Sequence, residues 1–568
     1  MVLLALMIAG AMLFSFGCAD PAEPEDPADN GEEPDTPDDP DEEEPTDERG
    51  DLVWSHAGDP VWLNPVLEQA GSDIRTNKVL FDQLIVLNEE AEPEGQLAAD
   101  WEISDDGHLV TVNLVENAYF HDGEPLTAED VVFTYSLHLN PEVPTRYGSD
   151  LWPLVGFEEL TDEDDPADFE EYEPVVAADE YTVEFHLDFP FAGFVTEALT
   201  LGIVPKHVIE AQMEGDTAIT EIPFNANPVG SGPFVFNYWD HENEMIFDAF
   251  EDYHQGHPGA DRYIRRVIPD PTVRAMEQQA GSIDVMAVTD VDVLADLDAD
   301  PDVDVYAVPG FGYRTLAVVN DHPLWEDSRV REAIAYGIDQ QSAVELYGGP
   351  MADLAADGAP IGPISWAHHP DLEARPHDPD RALELLADAG WEQDDNGVLR
   401  NDAGEAFEFD LLTFPGVERH DMNLIFQENL RGLGMEVGAR EVAAPDLMYQ
   451  MYGSDHRDMI FIGWSMSVDP DGEMWRRWHS DEDDHNNFYN FRNDRVDELL
   501  EMARFETDQD VRRDYYHEVQ EILDEELPGI NVFYSVSNIA FRSNFHGMRF
   551  GADGWQDFIH AIYQDPIQ

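Results

Sequence analysis

Apolar and polar positions along the chain fall into three regimes. Val2 to Phe16 is an almost unbroken apolar run, Ala19 to Gly50 has almost no large apolar residue, and periodic patterning begins near Asp51. Within the third regime, Leu52 to Asp59 (LVWSHAGD) opens with a β-rich run and leads into turn residues at Pro60, Asn64 and Pro65. Alternating or β-rich runs at His108 to Val115, Tyr181 to Leu187 and Asp458 to Trp464 predict strands. Helical spacing is as clear elsewhere. Asp327 predicts an N-cap for a helix with Val330, Ile334 and Ile338 on one face. Asp378 predicts another, with Pro379 in its first turn, Ala382, Leu385, Leu386 and Ala389 as the buried stripe, and Gly390 past its end. The segment from Asp494 to Pro528 predicts two helices split near Thr507. Strands and helices mix throughout with no fixed repeat, so the class is α/β or α+β.

The first two regimes change the picture of where the protein works. The apolar run is too short for a comfortable membrane span and has the form of an export signal. It ends at Cys18, the only cysteine, preceded by Ser15-Phe16-Gly17 in a pattern that resembles a lipobox. The thiol would then carry a lipid and anchor the chain at the outer face of the membrane. Ala19 to Gly50 holds seven prolines and 16 acidic residues against one arginine, and predicts an extended, self-repelling tether.

Charge carries the argument further. The whole chain has a net charge of -96, and -81 remains once the tether is set aside, so the excess is spread over the folded part. At molar salt the screening length falls to about 3 Å, which predicts strong brine as the working solvent. Only Lys78 and Lys206 are lysines; the other 26 bases are arginine, whose planar head is more weakly hydrated. No basic stripe is available for nucleic acid, and anionic membrane surfaces are equally disfavoured.

The 568 residues exceed one core and predict two or three domains. Enzyme signatures do not emerge: there is no G-x-S-x-G or H-E-x-x-H, and the sole cysteine is assigned to the anchor. His254 and His257, and His368 and His369, lack a second ligand pair, so no metal is predicted. Asp300 to Asp304 lacks the glycine of a calcium loop. In FHDGEPLTAEDVVF, Asp122-Gly123 predicts a turn, Thr127 an N-cap, and Glu129 and Asp130 a favourably charged first turn. Gly230, Gly232 and Pro233 predict a turn that brings backbone close to a cleft, without the Lys-Ser/Thr of a phosphate loop.

Leu97 to Ser136 resembles the signature region of the family-five extracellular solute-binding proteins, the dipeptide, oligopeptide and nickel receptors of ABC importers. Similar segments follow in order: IVPKHV from Ile203, NPVGSGPFVF from Asn227, IPDPTVRAMEQQAGSIDV from Ile268, DSRVREAIAYGID from Asp327, GWSMSVDPD from Gly463 and NFYNFRNDRVDELL from Asn487. The resemblance implies the type II periplasmic-binding fold, with two lobes, an inserted domain and a hinge of crossing strands. Domain I would comprise residues 51–88, 225–312 and 531–568, domain II residues 89–224, and domain III residues 313–530. It also implies a monomeric receptor without cofactor that captures short peptides between domains I and III and delivers them to an ABC permease with its ATPases. Nickel chelates, oligosaccharides or opines are the alternative solutes, and a surface sensor without transport is the alternative role.

In peptide-binding relatives an Asp shortly after the residue matching Trp464 accepts the peptide ammonium. Strict counting places that position at Ser467, whereas Asp469-Pro470-Asp471 resembles the form in another oligopeptide branch, which makes Asp469 the candidate acceptor and Asp471 its neighbour. Tyr313, Arg314 and Asn320 in GYRTLAVVN, and Tyr534 in INVFYSV, resemble the crossing segments and are further candidates. Trp54, His56, Trp366, His368 and His369 are weaker ones.

Overall fold

The structure, a computed structural model, describes residues 49–564 apart from 163, 216, 349–354, 356, 416, 444–455, 483–485 and 553. The apolar run, Cys18 and nearly all of the acidic stretch lie outside the described residues. Among the described residues no helix is long and apolar enough to cross a membrane.

Ten strands share one sheet: β1 (Asp51–His56), β2 (Phe234–Asp240), β3 (Glu244–Ala249), β4 (Arg262–Val267), β5 (Val285–Val288), β6 (Val303–Ala317), β7 (Glu408–Thr413), β8 (Glu436–Glu441), β9 (Met459–Ser465) and β10 (Gly529–Arg542). Their order is β8-β7-β9-β6-β10-β5-β1-β4-β3-β2. The middle pair, β6 and β10, is far longer than its neighbours, at 15 and 14 residues. Paired along their lengths, the two strands join the lobes, β10 bordering the first lobe at one end and β6 the second lobe at the other. Toward Val303 the neighbour of β10 is β5; toward Ala317 the neighbour of β6 is β9. The register breaks between Pro309↔Val536 and Tyr313↔Tyr534, and burial drops on both strands near there, with Ala307, Pro309 and Ser537 exposed. A bulge that interrupts the ladder in an uncovered stretch bends and twists the pair locally, as a hinge requires.

Separate cores form around this sheet. In the first lobe Leu52, Phe81, Phe247, Tyr263 and Phe541 are buried together. In the second lobe one face buries Trp325, Ile334, Leu386, Phe409 and Phe461, and the other Tyr313, Trp478, Tyr489, Leu499 and Tyr516. A third core, with Phe120, Tyr135, Phe185 and Phe194, covers a four-stranded sheet of Ala98–Ile103, Leu109–Leu114, Thr182–His186 and Val175–Asp179.

Local chemistry explains these elements. The Asp327 and Asp378 carboxylates accept the amides of Arg329 and Arg381, opening helices Ser328–Gly337 and Pro379–Asp388. Gly390 sits beyond the second at φ +89°, the left-handed region in which glycine carries no Cβ penalty. The two predicted C-terminal helices are Asp494–Phe505 and Gln509–Glu526. Thr127 stands at the N-cap as expected, in a capping box with Asp130, whose carboxylate accepts the Thr127 amide and hydroxyl. One detail differs from expectation. The close backbone approach at Gly230 and Gly232 is to the end of helix Gly71–Leu80: a Cβ on Gly230 would lie 1.8 Å from the Leu80 carbonyl oxygen.

Candidate ligand cleft

Strand register alone locates the gap between the lobes. In the first lobe β1, β4 and β5 are parallel and end at His56, Val267 and Val288, and Val288 stands beside Asn538 of β10. In the second lobe β7 and β9 are parallel, and β9 ends at Ser465 beside Gly312 of β6. The carboxyl ends of both parallel sets therefore face the crossing segment from opposite sides. The four residue-to-residue steps from Tyr534 to Asn538, at about 3.3 Å each, separate the two rims by roughly 13 Å, wide enough for one extended chain. In open α/β sheets the crevice beyond the carboxyl ends of the strands is where ligands bind. A groove of about 410 Å³ lined by Glu408, Asp410, Arg431 and Glu436 lies instead at the starts of β7 and β8, away from the crossing.

The sequence candidates divide into two groups here. Ser467 is exposed just beyond β9. Trp464 is half-buried, with the Arg477 guanidinium 3.8 Å from its ring centroid. Arg314 is half-buried at the crossing, where it packs over Gly463 and donates to the Ser535 hydroxyl at 3.2 Å. The second group faces inward. Tyr313 is fully buried, and burial pushes its hydroxyl well above the usual phenol range. Asn320 donates to the carbonyls of Tyr489 and Pro528, each at 2.9 Å, tying the end of β6 to the start of β10. The Tyr534 hydroxyl donates to the Ala359 carbonyl at 3.0 Å.

Asp469 and Asp471 are buried, and each engages an arginine. Arg512 donates to the two Asp469 oxygens at 2.6 and 2.7 Å, a planar two-point pairing. Arg504 donates to Asp471 at 2.7 Å and stacks on Trp475, its guanidinium carbon 3.6 Å from the ring centroid. In this conformation Asp469 spends both oxygens on Arg512, with the Asp471 amide also donating to one of them. Among the weaker candidates, His368 bonds the Ile361 carbonyl, His369 faces Glu521, and Trp366 packs beside Tyr516. Trp54 and His56 lie on β1, with ring centroids 4.0 Å apart. Among the described residues no three His, Cys, Asp or Glu side chains gather as a metal site.

Sequence reasoning did not find the contact between the inserted domain and the second lobe at this same turn. Phe189 meets Phe505 edge to face, Arg504 lies over Trp152, and a Cβ on Gly193 would touch Asp469. Glu197 stands in this contact. Burial, reinforced by Asp469, Asp471 and Asp150, holds its carboxyl well above the usual range, with Arg512 opposing. These partners come from segments hundreds of residues apart, and no local spacing signals them.

Comparison with known proteins places this architecture. Residues 92–486 match the family described as bacterial extracellular solute-binding proteins, family 5 middle. The oligopeptide-binding protein AppA of Bacillus subtilis is 27% identical over 516 residues, covering 88% of this chain and 89% of that protein. The dipeptide-binding protein of Escherichia coli is 24% identical over 507 residues, covering 85% and 89%. Among solved structures, B. subtilis AppA in complex with a nonapeptide aligns with a TM-score of 0.69 at 26% identity, covering 91% of this chain and 99% of that one. NikZ from Campylobacter jejuni in complex with Ni(L-His) aligns at 0.71 with 23% identity, covering 91% and 100%, a likeness of fold.

Proposed function

We propose that this chain, which belongs to the family 5 bacterial extracellular solute-binding proteins, captures short peptides between its two lobes and delivers them to an ABC importer. The observation that carries the reading is the opposition of two sets of strand carboxyl ends across one pair of crossing strands, in a chain that aligns along nearly its whole length with a nonapeptide-bound receptor. A peptide of roughly two to ten residues suits such a cleft, because strand ends and fixed polar groups hold its backbone while water fills the side-chain pockets. Solute that touches both lobes only when they are shut selects the closed form, and the closed form docks on the permease. The family consists of solute receptors, and binding and release need no covalent step.

Of the sequence candidates, Ser467, Trp464 and Arg314 are assigned ligand contact, supported by their exposure or partial exposure at the rim. Asp469, Asp471, Asn320 and Tyr534 are assigned to shaping the rim, supported by their internal partners, and Tyr313 likewise, supported by its full burial. Lipidation at Cys18 would hold the receptor at the outer membrane face, the acidic stretch would act as its tether, and the distributed charge of -81 suits a medium of molar salt.

The test is a thermal-shift screen in about 2 to 4 M KCl against di- to decapeptides, nickel chelates and sugars. A ligand at 100 times its dissociation constant adds about 2.7 kcal/mol. Stabilisation by peptides supports the reading; a response confined to nickel chelates or sugars overturns the peptide assignment and leaves the receptor fold.

A further inference from the structure

Both ends of the inserted domain's chain run into the first lobe: it is entered from helix Gly71–Leu80 and left into β2. Hydrogen bonds fix it there. The Tyr147 hydroxyl donates to Glu68 at 2.6 Å. The His121 amide donates to the Gly230 carbonyl at 2.8 Å, and the Gly230 amide donates to Nδ1 of His121 at 3.1 Å. The domain therefore travels with the first lobe, and a contact between it and the second lobe has to form or break whenever the crossing strands flex.

Such a contact stands at the rim beyond β9. On the inserted-domain side Trp152 packs on Phe189 and Phe191, with ring centroids 4.6 and 5.2 Å away. From the second lobe, Arg504 brings its guanidinium carbon 4.9 Å from the Trp152 ring centroid and 3.6 Å from that of Trp475 on helix Asp471–Trp478, while Asp471 holds its edge at 2.7 Å. Phe505, the next residue, meets Phe189 edge to face at 5.8 Å and is still 54% exposed. Gly193 shows how close the approach is. Its φ of -72° and ψ of -10° are open to any residue, so backbone conformation does not call for glycine. Space does: a Cβ there would stand 2.8 Å from Cζ of Phe191 and 3.0 Å from the Asp469 carboxyl carbon across the contact.

We infer that Trp152, Phe189 and Gly193 close on Arg504, Phe505 and Asp469 as a latch that holds the two lobes shut, and that this is the inserted domain's role in the receptor. The inference rests on the proposed closing of the lobes, though not on the identity of the solute. Its chemistry suits the proposed medium. Screening at molar salt removes attraction between charges beyond about 3 Å, whereas ring packing and a guanidinium laid on an indole act at contact. Solute and latch bias the same equilibrium. A weaker latch leaves more of the closing to be supplied by the solute, and so lowers affinity for every solute by the same factor.

Small-angle scattering of the purified full chain in about 3 M KCl, before addition of any peptide, tests the latch directly. Trp152→Ala removes the ring that Arg504 packs on, Phe505→Ser removes the partner of Phe189, and Gly193→Val wedges a side chain against Asp469. Each should raise the radius of gyration above that of the native chain. Phe505 is half exposed, so its variant should keep the native melting midpoint even if Trp152→Ala loosens the inserted domain. Calorimetric titration with Ala-Ala-Ala and Gly-Gly-Leu should show both affinities falling by the same factor, roughly three- to tenfold, which damage to one side-chain pocket would not produce. A native chain that binds neither peptide, but whose Phe505→Ser and Gly193→Val variants expand, sinks the peptide reading and keeps the latch. A radius of gyration unchanged in Phe505→Ser and Gly193→Val, or an affinity loss confined to one peptide, overturns the latch.

Discussion

Asp469 and Arg512 show what a single buried pair costs and returns. Both side chains are almost fully covered, with side-chain exposures of 4% and 2%, so removing one charge leaves the other desolvated without a partner. Asp469→Ala should therefore lower stability by about 3–5 kcal/mol, whereas a paired Asp469→Leu, Arg512→Leu change should recover most of it, as checked by denaturant unfolding at fixed high salt. If Asp469→Ala weakened peptide binding without loss of stability, its carboxylate would be a ligand contact rather than a support. A second residue makes a pH prediction. Burial of Glu68 raises its carboxyl to about 7, against the donated bonds of Tyr147 and Asn77. A raised carboxyl binds a proton in the folded chain before the unfolded one does, so its contribution is fully present below about 4.5 and is lost as pH rises to about 7. Unfolding free energy should fall by on the order of 1–3 kcal/mol across that window, and Glu68→Gln should flatten the slope.

At the scale of elements, caps and hinge strands carry the testable content. The helix Pro379–Asp388 depends on the Asp378 carboxylate at its start and on Gly390 beyond its end. Asp378→Ala should cost about 1 kcal/mol, and Gly390→Ala should cost about as much because it forces a Cβ into the left-handed region. Melting midpoints of the two variants check both. These caps were readable because a cap is local: donor and acceptor lie within three residues. The strands at His108 to Val115 and Asp458 to Trp464 were readable for the same reason, and the structure places them at Leu109–Leu114 and Met459–Ser465. The partner of Gly230 was not, because a glycine does not announce which backbone approaches it.

Across the whole molecule, net charge and lobe closure dominate. The folded part brings its charges closer together than the unfolded chain does, so repulsion disfavours folding wherever it is unscreened. The melting temperature should therefore drop steeply when KCl is lowered from about 4 M to about 0.1 M, with the screening length growing from below about 3 Å to about 10 Å. A melting temperature independent of salt would place the acidity outside the stability balance. Peptide binding should reduce the radius of gyration in solution scattering as the lobes shut, and a change at the exposed hinge stretch Ala307 to Gly310 should alter affinity while sparing the lobe cores.

The sequence by itself determined the α/β class, the capped helices, the alternating strands and membership in the solute-receptor family, because each is written in short-range patterns or in ordered motifs. Only the tertiary structure decided what the charged and polar candidates do. Asp469 and Asp471 lie on a segment that resembles a ligand loop, yet folding brings Arg504 and Arg512 onto them from helices more than thirty residues away. Charge pairing is a property of space rather than of spacing, and in a chain this rich in acids the sequence offers every arginine many partners without saying which it keeps.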